Sequence, residues 1–293
     1  MMSDGSKASG EKVRRRLPEW LKRRIGEGEV FMQTHKTLDE LGLQTICTNA
    51  NCPNKGDCWS RGTATVLILG NICTRNCRFC SVGHGKPLPP DPTEPQRVAA
   101  MARQMGLKYL VITSVDRDDL KDGGAGHFRD VIQRCRQDAA GLEFELLVPD
   151  FRDCQDEAIE ILSEALPFVF GHNVETVPVL YAKARPGGVY RRSLDLLEKA
   201  KKAWPQTQTK SSIMMGLGET DEQVMEVLRD LRAVGCDRLS VGQYLKPSKE
   251  SLDVAEYVTP EKFEWWRQQA MGLGFGWVQS SPFTRSSYHA EEK

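Results

Sequence analysis

The stretch Ala64-Thr-Val-Leu-Ile-Leu69-Gly-Asn-Ile-Cys73-Thr-Arg-Asn-Cys77-Arg-Phe-Cys80 runs a buried-strand pattern straight into three closely spaced cysteines. Working outward from it, apolar runs that read as strands recur at 63–70, 108–113, 143–148, 167–174, 209–216 and 238–244. Helix-period stretches lie between them at 93–105, 126–139, 153–165, 193–203 and 220–234, and a sixth at 260–271 follows the last strand. Thr220 before Asp221 and Glu222, and Thr259 before Pro260 and Glu261, mark helix starts. Six strand–helix units of one polarity predict an α/β protein with a parallel sheet covered on both faces. No Gly-x-Gly-x-x-Gly opens the first strand–helix turn, so a dinucleotide-binding sheet loses its main support. In parallel barrels function sits in loops at the C-terminal ends of strands, which is where Cys73 falls. Six units rather than eight predict an incomplete barrel, open along one side.

The chain has 293 residues, 40 Lys+Arg against 40 Asp+Glu and 40% hydrophobic residues. Zero net charge gives no surplus of cations to displace phosphate counterions, so a dedicated nucleic-acid binder is not expected. The longest apolar run, Ala64 to Leu69, is far too short to span a bilayer. Residues 1–12 are polar and of mixed charge, without a secretory apolar segment, and the run Arg14-Arg15-Arg16 reads as a solvated arm. Pro18-Glu19-Trp20 suits the start of a short helix. A soluble, cytoplasmic, globular protein is expected. Nine cysteines are present, six of them between 47 and 80. An odd count without a secretory signal disfavours disulfides and favours a metal site. Residues 47–62, rich in Cys, Asn and Gly, read as an irregular loop that only ligation would order.

Cys73, Cys77 and Cys80 have the spacing C-x3-C-x2-C. Three thiolates so close can grip one corner of a cube, one short of the four cysteines that usually hold a 4Fe-4S cluster, which leaves one iron open for a ligand. With Phe79 just before the third cysteine, the motif resembles that of the radical S-adenosylmethionine superfamily. A three-thiolate zinc site completed by His84 is the plainer alternative. Cys47, Cys52 and Cys58 form a second group, C-x4-C-x5-C, for which half a zinc knuckle is the alternative.

Taken together, the two triplets resemble the lipoyl synthase family. The likeness continues in Ile112-Thr-Ser-Val-Asp116-Arg-Asp-Asp119, Asp122-Gly-Gly-Ala-Gly-His127, His172-Asn-Val-Glu175-Thr and Arg285-Ser-Ser-Tyr288, and spans roughly residues 18–290. The resemblance implies a partial (β/α)6 parallel barrel of the radical SAM type with N- and C-terminal extensions. Residues 1–62 would carry the auxiliary cluster loop, 63–272 the barrel, and 273–293 the Arg-Ser-Ser-Tyr motif. It implies two 4Fe-4S clusters, one on Cys73, Cys77 and Cys80 and an auxiliary one on Cys47, Cys52, Cys58 and a serine. That serine is Ser286 or Ser287; Ser287 is favoured because the family motif tolerates variation at the first position.

The implied reaction inserts two sulfur atoms at C6 and C8 of a protein-bound octanoyl-lysine, with sulfur taken from the auxiliary cluster. Those carbons are unactivated, so no side-chain base can serve and the cofactor must carry the chemistry. The implied partners are an octanoylated lipoyl domain or glycine-cleavage carrier and a ferredoxin- or flavodoxin-type electron donor.

For S-adenosylmethionine, the resemblance puts Phe79 beside the adenine, and Ser114, Asp116, Asn173 and Glu175 are the candidate contacts. Gly216-Leu-Gly-Glu219 could offer backbone N–H groups to a ligand, although a turn explains its glycines almost as well. Arg185 and Lys210 are candidates for the substrate's amide or carboxylate. Cys135, Cys154 and Cys236 are read as structural, and His127 and His172 as supporting or packing residues.

Two alternatives remain at this point. One is another sulfur-inserting radical enzyme, of the biotin synthase or methylthiotransferase kind. The first lacks the Cys47–Cys58 group, and the second appends an RNA-binding domain for which 273–293 is too short. The other alternative is a non-catalytic metal-binding scaffold.

Overall fold

The computed structural model describes residues 17–22 and 26–292; the basic run at 14–16 lies outside them. A single 3-10 turn, Glu19–Leu21, follows Pro18. The elements then run α1 (Glu29–Glu40), β1 (Gln44–Thr45), α2 (Ile46–Asn49), α3 (Lys55–Ser60), β2 (Thr65–Ile68), β3 (Ile72–Cys73) and β4 (Gly83–His84). The repeating part continues α4 (Glu94–Gln104), β5 (Tyr109–Ser114), α5 (Ala125–Asp138), β6 (Glu143–Leu147), α6 (Gln155–Ser163) and β7 (Val169–Gly171). It closes with α7 (Tyr181–Ala184), α8 (Tyr190–Ala203), β8 (Thr209–Met215), α9 (Asp221–Ala233), β9 (Arg238–Gln243), α10 (Pro260–Gly272) and β10 (Trp277–Ser281).

All six expected strands form. They stand in chain order, β1-β2-β5-β6-β7-β8-β9-β10, parallel throughout except for the antiparallel β1–β2 pair. A doubly wound sheet reverses its order at a switch point. This sheet never reverses, as in a barrel wall. Side-chain contacts show its curvature. Lys210 on β8 bonds Glu145 on β6 across the intervening β7, and its Nζ lies 4.9 Å from the Trp277 ring on β10, across β9. Contacts that skip a strand on both sides suit a concave face.

Those residues plug the barrel at the end where the strands begin. The Lys210 Nζ lies 2.9 and 3.0 Å from the two Glu145 oxygens, and the Tyr109 hydroxyl donates to Glu145 Oε2 at 3.1 Å. Lys210 is therefore committed to the floor rather than to a substrate at the mouth. Removing one partner of a buried pair strands the other's charge, so Glu145→Gln is expected to cost about 3–5 kcal/mol. Glu145→Leu with Lys210→Met should cost much less. Urea unfolding of the three proteins checks this, and equal losses for the single and double variants would refute it.

Four elements differ from the sequence reading. Residues 47–62 contain α2 and α3 rather than an irregular loop, because Thr45 caps α2 by accepting from Thr48 N and Trp59 is buried beside Phe31 with ring centroids 5.6 Å apart. Helix α1 was not foreseen either. Strand β10, a seventh parallel strand on β9, lies within the expected C-terminal extension. Its half-buried pattern, Trp-Val-Gln-Ser-Ser, lacks the apolar continuity of the inner strands. Helix α9 begins with the expected Thr220, which forms a full capping box with Gln223.

Candidate functional site

Every strand of the barrel delivers its loop to one end, and there a cavity of about 830 Å³ opens. Both cysteine triplets line it, together with Ser286 and Ser287. Cys73 ends β3, the short extension after β2, and Cys77 and Cys80 follow in the loop to β4. Backbone N–H groups point at two of these sulfurs: Arg75 N lies 3.4 Å from Cys73 Sγ and Val82 N 3.4 Å from Cys80 Sγ. Cys47 sits on α2, Cys58 on α3, and Cys52 between them, its N–H bonded to Cys47 O at 3.1 Å. The two loops touch through the Ser81 hydroxyl, which donates to Asn49 O at 2.8 Å.

The thiols of each triplet feel one another. Burial pushes Cys47 up to about 11, and the neighbouring Cys52 adds to it; Cys58 goes to about 12 from burial and from Cys47 and Cys52. Burial likewise lifts Cys73 to about 11, with Asp116 adding, and Cys77 to about 12, against the pull of Arg185. Cys47, Cys58, Cys73 and Cys77 are therefore held as thiols at neutral pH, so ligation must displace their protons, and binding of iron is coupled to proton release. Two all-sulfur donor sets, each with one buried and two half-buried cysteines and the second partly supplied with N–H donors, fit iron–sulfur clusters. His84 pairs with Cys73 in register but is exposed, and among the described residues no three donors converge on a single-ion site.

The C-terminal segment reaches the first triplet by several clamps. Asn54 Nδ2 donates to Phe283 O at 2.7 Å, the Tyr288 hydroxyl to Asp57 Oδ2 at 3.0 Å, and Arg61 pairs with Glu291 at 3.5 Å. Gly242 makes the approach possible: a Cβ there would stand 2.0 Å from Thr284 O. The two serines differ. Ser286 Oγ accepts from Asn173 Nδ2 at 2.7 Å, whereas Ser287 lines the cavity with no hydrogen bond to a described residue.

The remaining candidates cluster at the ends of β5 and β7. Ser114 Oγ is buried without a hydrogen bond, and a buried polar atom left so calls for a ligand partner; Asp116 Oδ1 also lacks a hydrogen bond but stands 3.3 Å from Arg75 Nη1. Asp116 Oδ2 lies 3.8 Å from Cys73 Sγ, and burial pushes its carboxyl up, with Arg75 and Arg185 opposing. Asn173 Nδ2 also donates to Glu175 Oε1 at 3.1 Å. Glu175 has φ +69°, a strained value for a non-glycine, held by bonds from its N to Ser212 O and from Met214 N to its O. Phe79 and Arg185 line the same wall.

Arg185 and His172 are joined through Ser193. Arg185 Nη1 donates to Ser193 Oγ at 3.2 Å and to Asn173 O at 3.2 Å. His172, held neutral at about 4 by burial, has Nδ1 2.9 Å from Val148 O and Nε2 2.9 Å from Ser193 Oγ. A carbonyl only accepts, so Nδ1 carries the proton and Nε2 accepts from the serine. His172 thus supports Arg185 and is not a ligand. The Gly216–Glu219 turn offers nothing to a ligand at two of its N–H groups: Glu219 accepts from both Gly216 N and Leu217 N. His127 bonds Glu94, and Cys135 and Cys236 are fully buried. Sequence reasoning missed Asn54, Asp57 and Asp150 altogether, because nothing in their local pattern marks them.

A family model of the radical SAM superfamily matches residues 67–231, and one of the N-terminal domain of lipoyl synthase matches 2–52. The chain is 51% identical over 278 residues to the lipoyl synthase of Methylobacillus flagellatus, covering 95% of this chain and 86% of that one. It is 52% identical over 276 residues to the lipoyl synthase of Caldanaerobacter subterraneus, covering 94% and 96%. Among solved structures, SuiB of Streptococcus suis bound to S-adenosylmethionine superposes with a TM-score of 0.57 at 13% identity, over 73% of this chain and 48% of that one. Methylornithine synthase does so with 0.55 at 14% identity, over 78% and 76%. These structural likenesses concern the fold.

Proposed function

The chain belongs to the lipoyl synthase family of radical SAM enzymes, and from that premise we propose which residues of the cavity perform the family's sulfur insertion. The reaction is that of a sulfurtransferase, replacing a C–H bond by C–S at C6 and at C8 of a protein-bound octanoyl-lysine. When bound, a 4Fe-4S cluster with S-adenosylmethionine supplies a 5′-deoxyadenosyl radical, and a second 4Fe-4S cluster supplies sulfide. Cys73, Cys77 and Cys80 hold the first cluster; Cys47, Cys52, Cys58 and Ser287 hold the second. The observation that carries this reading is that both triplets and the C-terminal serines line one cavity.

Ser287 is preferred as the fourth ligand because the Ser286 hydroxyl is already engaged by Asn173. A serine oxygen is a harder donor than the usual thiolate and suits a cluster that gives up an iron. Ser114, whose hydroxyl has no hydrogen bond, and Asp116 meet the ammonium of S-adenosylmethionine, Asn173 and Glu175 bond its ribose or amino end, and Phe79 packs beside the adenine. Arg185, steadied by Ser193 and Asn173, meets a carboxylate or amide. In this division residues 1–62 bring the auxiliary loop, 63–272 the barrel and 273–293 the serine motif.

The octanoyl group arrives on a lipoyl domain or glycine-cleavage carrier, and electrons come from a ferredoxin- or flavodoxin-type donor. All nine cysteines are unpaired, which suits the reducing cytoplasm. Among the described residues no helix is long and apolar enough to cross a membrane. Anaerobically reconstituted protein given dithionite, S-adenosylmethionine and an octanoyl-lysine peptide is expected to yield deoxyadenosine and a peptide carrying two added sulfurs, read by mass spectrometry. Deoxyadenosine with an untouched octanoyl chain would overturn the substrate.

A further inference from the structure

Arg75 lies between Cys73 and Cys77, and its side chain, 3% exposed, reaches carboxylates beyond the ends of β5 and β6. Its Nε and Nη2 form a two-bond fork on Asp118, at 2.8 and 2.7 Å, and Nη2 also reaches Asp150 Oδ1 at 2.6 Å. Nη1 stands 3.3 Å from Asp116 Oδ1, close enough for an ion pair but misaligned, so neither atom has a hydrogen bond. Asp150 is in turn held by Arg192 of α8 at 3.2 Å. Burial would raise the Asp150 carboxyl, but the hydrogen bond and charge of Arg75 hold it well below its ordinary value.

The main chain alongside is stitched to the same place. Thr74 N and Oγ1 both donate to Asp116 O, at 3.1 and 3.0 Å, and Thr74 Oγ1 accepts from Asp118 N at 3.1 Å. The segment 74–80 has no helix or strand of its own. What restrains the limb between the first two cysteines is this side-chain network, which joins it to the connections after β5 and β6. Ligand residues of metal sites depend on such supporting contacts for their orientation.

We propose that Arg75 is a positioning residue for the cluster on Cys73, Cys77 and Cys80, its guanidinium fork fixing the Cys73–Cys77 limb in ligating geometry. The proposal rests on the reading that this triplet holds a cluster. Lysine keeps the charge but cannot make the bidentate fork, so Arg75→Lys isolates geometry from charge. Asp118→Asn weakens the fork from the other side and leaves Arg75 in place.

The test compares the full chain, Arg75→Lys, Asp118→Asn and Cys73→Ala after anaerobic reconstitution. It reads iron and acid-labile sulfide, the EPR signal of the reduced protein with and without S-adenosylmethionine, and apoprotein melting temperature. The full chain should carry about eight irons and Cys73→Ala about four. Arg75→Lys should lose most of the irons that Cys73→Ala loses, with a weakened spectral response to S-adenosylmethionine. Asp118→Asn should show the same defect in milder form. Melting should move by no more than about 4 °C, the size expected of about one kcal/mol.

Full iron and an unchanged response in both variants would overturn the proposal. So would loss of iron from both clusters together with a large fall in melting temperature, which would make Arg75 an ion pair of the fold. If Cys73→Ala itself keeps its full iron, the reading of the triplet fails and this proposal falls with it.

Discussion

Cys77→Ala is expected to abolish cleavage of S-adenosylmethionine and to lower iron from about eight to about four per chain. The three thiols of 73, 77 and 80 are the whole donor set of their loop, and Arg75 N and Val82 N are placed on sulfur, not on a substitute oxygen. With one thiol gone the cube has two protein ligands and two open irons, and no neighbouring cysteine can reach in: Cys135 is fully buried on α5. The target carbons are unactivated, so no acid or base in the cavity offers a slower route. The loss should therefore exceed about 10⁶-fold, the lower end of ordinary enzymatic acceleration. Deoxyadenosine by chromatography and iron by metal analysis are the readouts. Cys135→Ala, a core substitution, should leave both unchanged. Measurable deoxyadenosine from Cys77→Ala at full iron load would remove this triplet from the chemistry.

A different outcome is expected on the other side of the cavity. Cys52→Ala should still cleave S-adenosylmethionine, yet give no sulfur-containing product, again with about four irons retained. The separation follows from the geometry, since the two donor sets occupy different elements, α2–α3 against the β3–β4 loop, and face the same cavity. Ser287→Ala should resemble Cys52→Ala in losing sulfur products. Ser286→Ala removes one hydrogen bond from Asn173, about 0.5–1.5 kcal/mol, and should slow the reaction by about tenfold at most. Mass spectrometry of an octanoyl-lysine peptide separates the cases. If Ser286→Ala were the dead variant and Ser287→Ala the mild one, the ligand would be Ser286. If Cys52→Ala still made the doubly thiolated product, the sulfur source would lie elsewhere.

Some features were legible early because their physics is local. The C-x3-C-x2-C spacing brings three thiols together within one short loop, so no tertiary contact is needed to recognise a ligand set. The alternation of apolar strands with amphipathic helices is read over windows of a dozen residues, and all six strands appear where expected. Thr220 caps α9 for the same reason: its partner, Gln223, is three residues away. Elements with weaker local signals were missed. Strand β10 is half-buried and carries Gln279, Ser280 and Ser281, so its assignment waits for β9 to lie beside it. Helices α2 and α3 occur in a Cys-, Asn- and Gly-rich run and gain order from Trp59 against Phe31 and from the cap at Thr45.

Lys210 shows the opposite failure. In the sequence it is a candidate for the substrate's amide or carboxylate, but the curvature of the sheet sets it against Glu145 on a strand that is not its neighbour. Likewise Glu219 turns back to occupy the N–H groups that the glycines around it seemed to offer. Arg75 could not be interpreted at all from its motif, since Asp118 and Asp150 lie 43 and 75 residues away along the chain.

By itself the sequence determined the grouping of the cysteines, the parallel α/β class and, through the quoted motifs, the family, because each is written in residue types at short spacing. Only the tertiary structure decided which distant residues face one another. It carried Ser286 and Ser287 to the first triplet through Asn54, Gly242 and the Tyr288–Asp57 bond, and it turned Lys210 inward and Arg75 into a clamp. The reason is that burial and ion pairing depend on what the curved sheet sets opposite a side chain, and that partner lies far away along the chain.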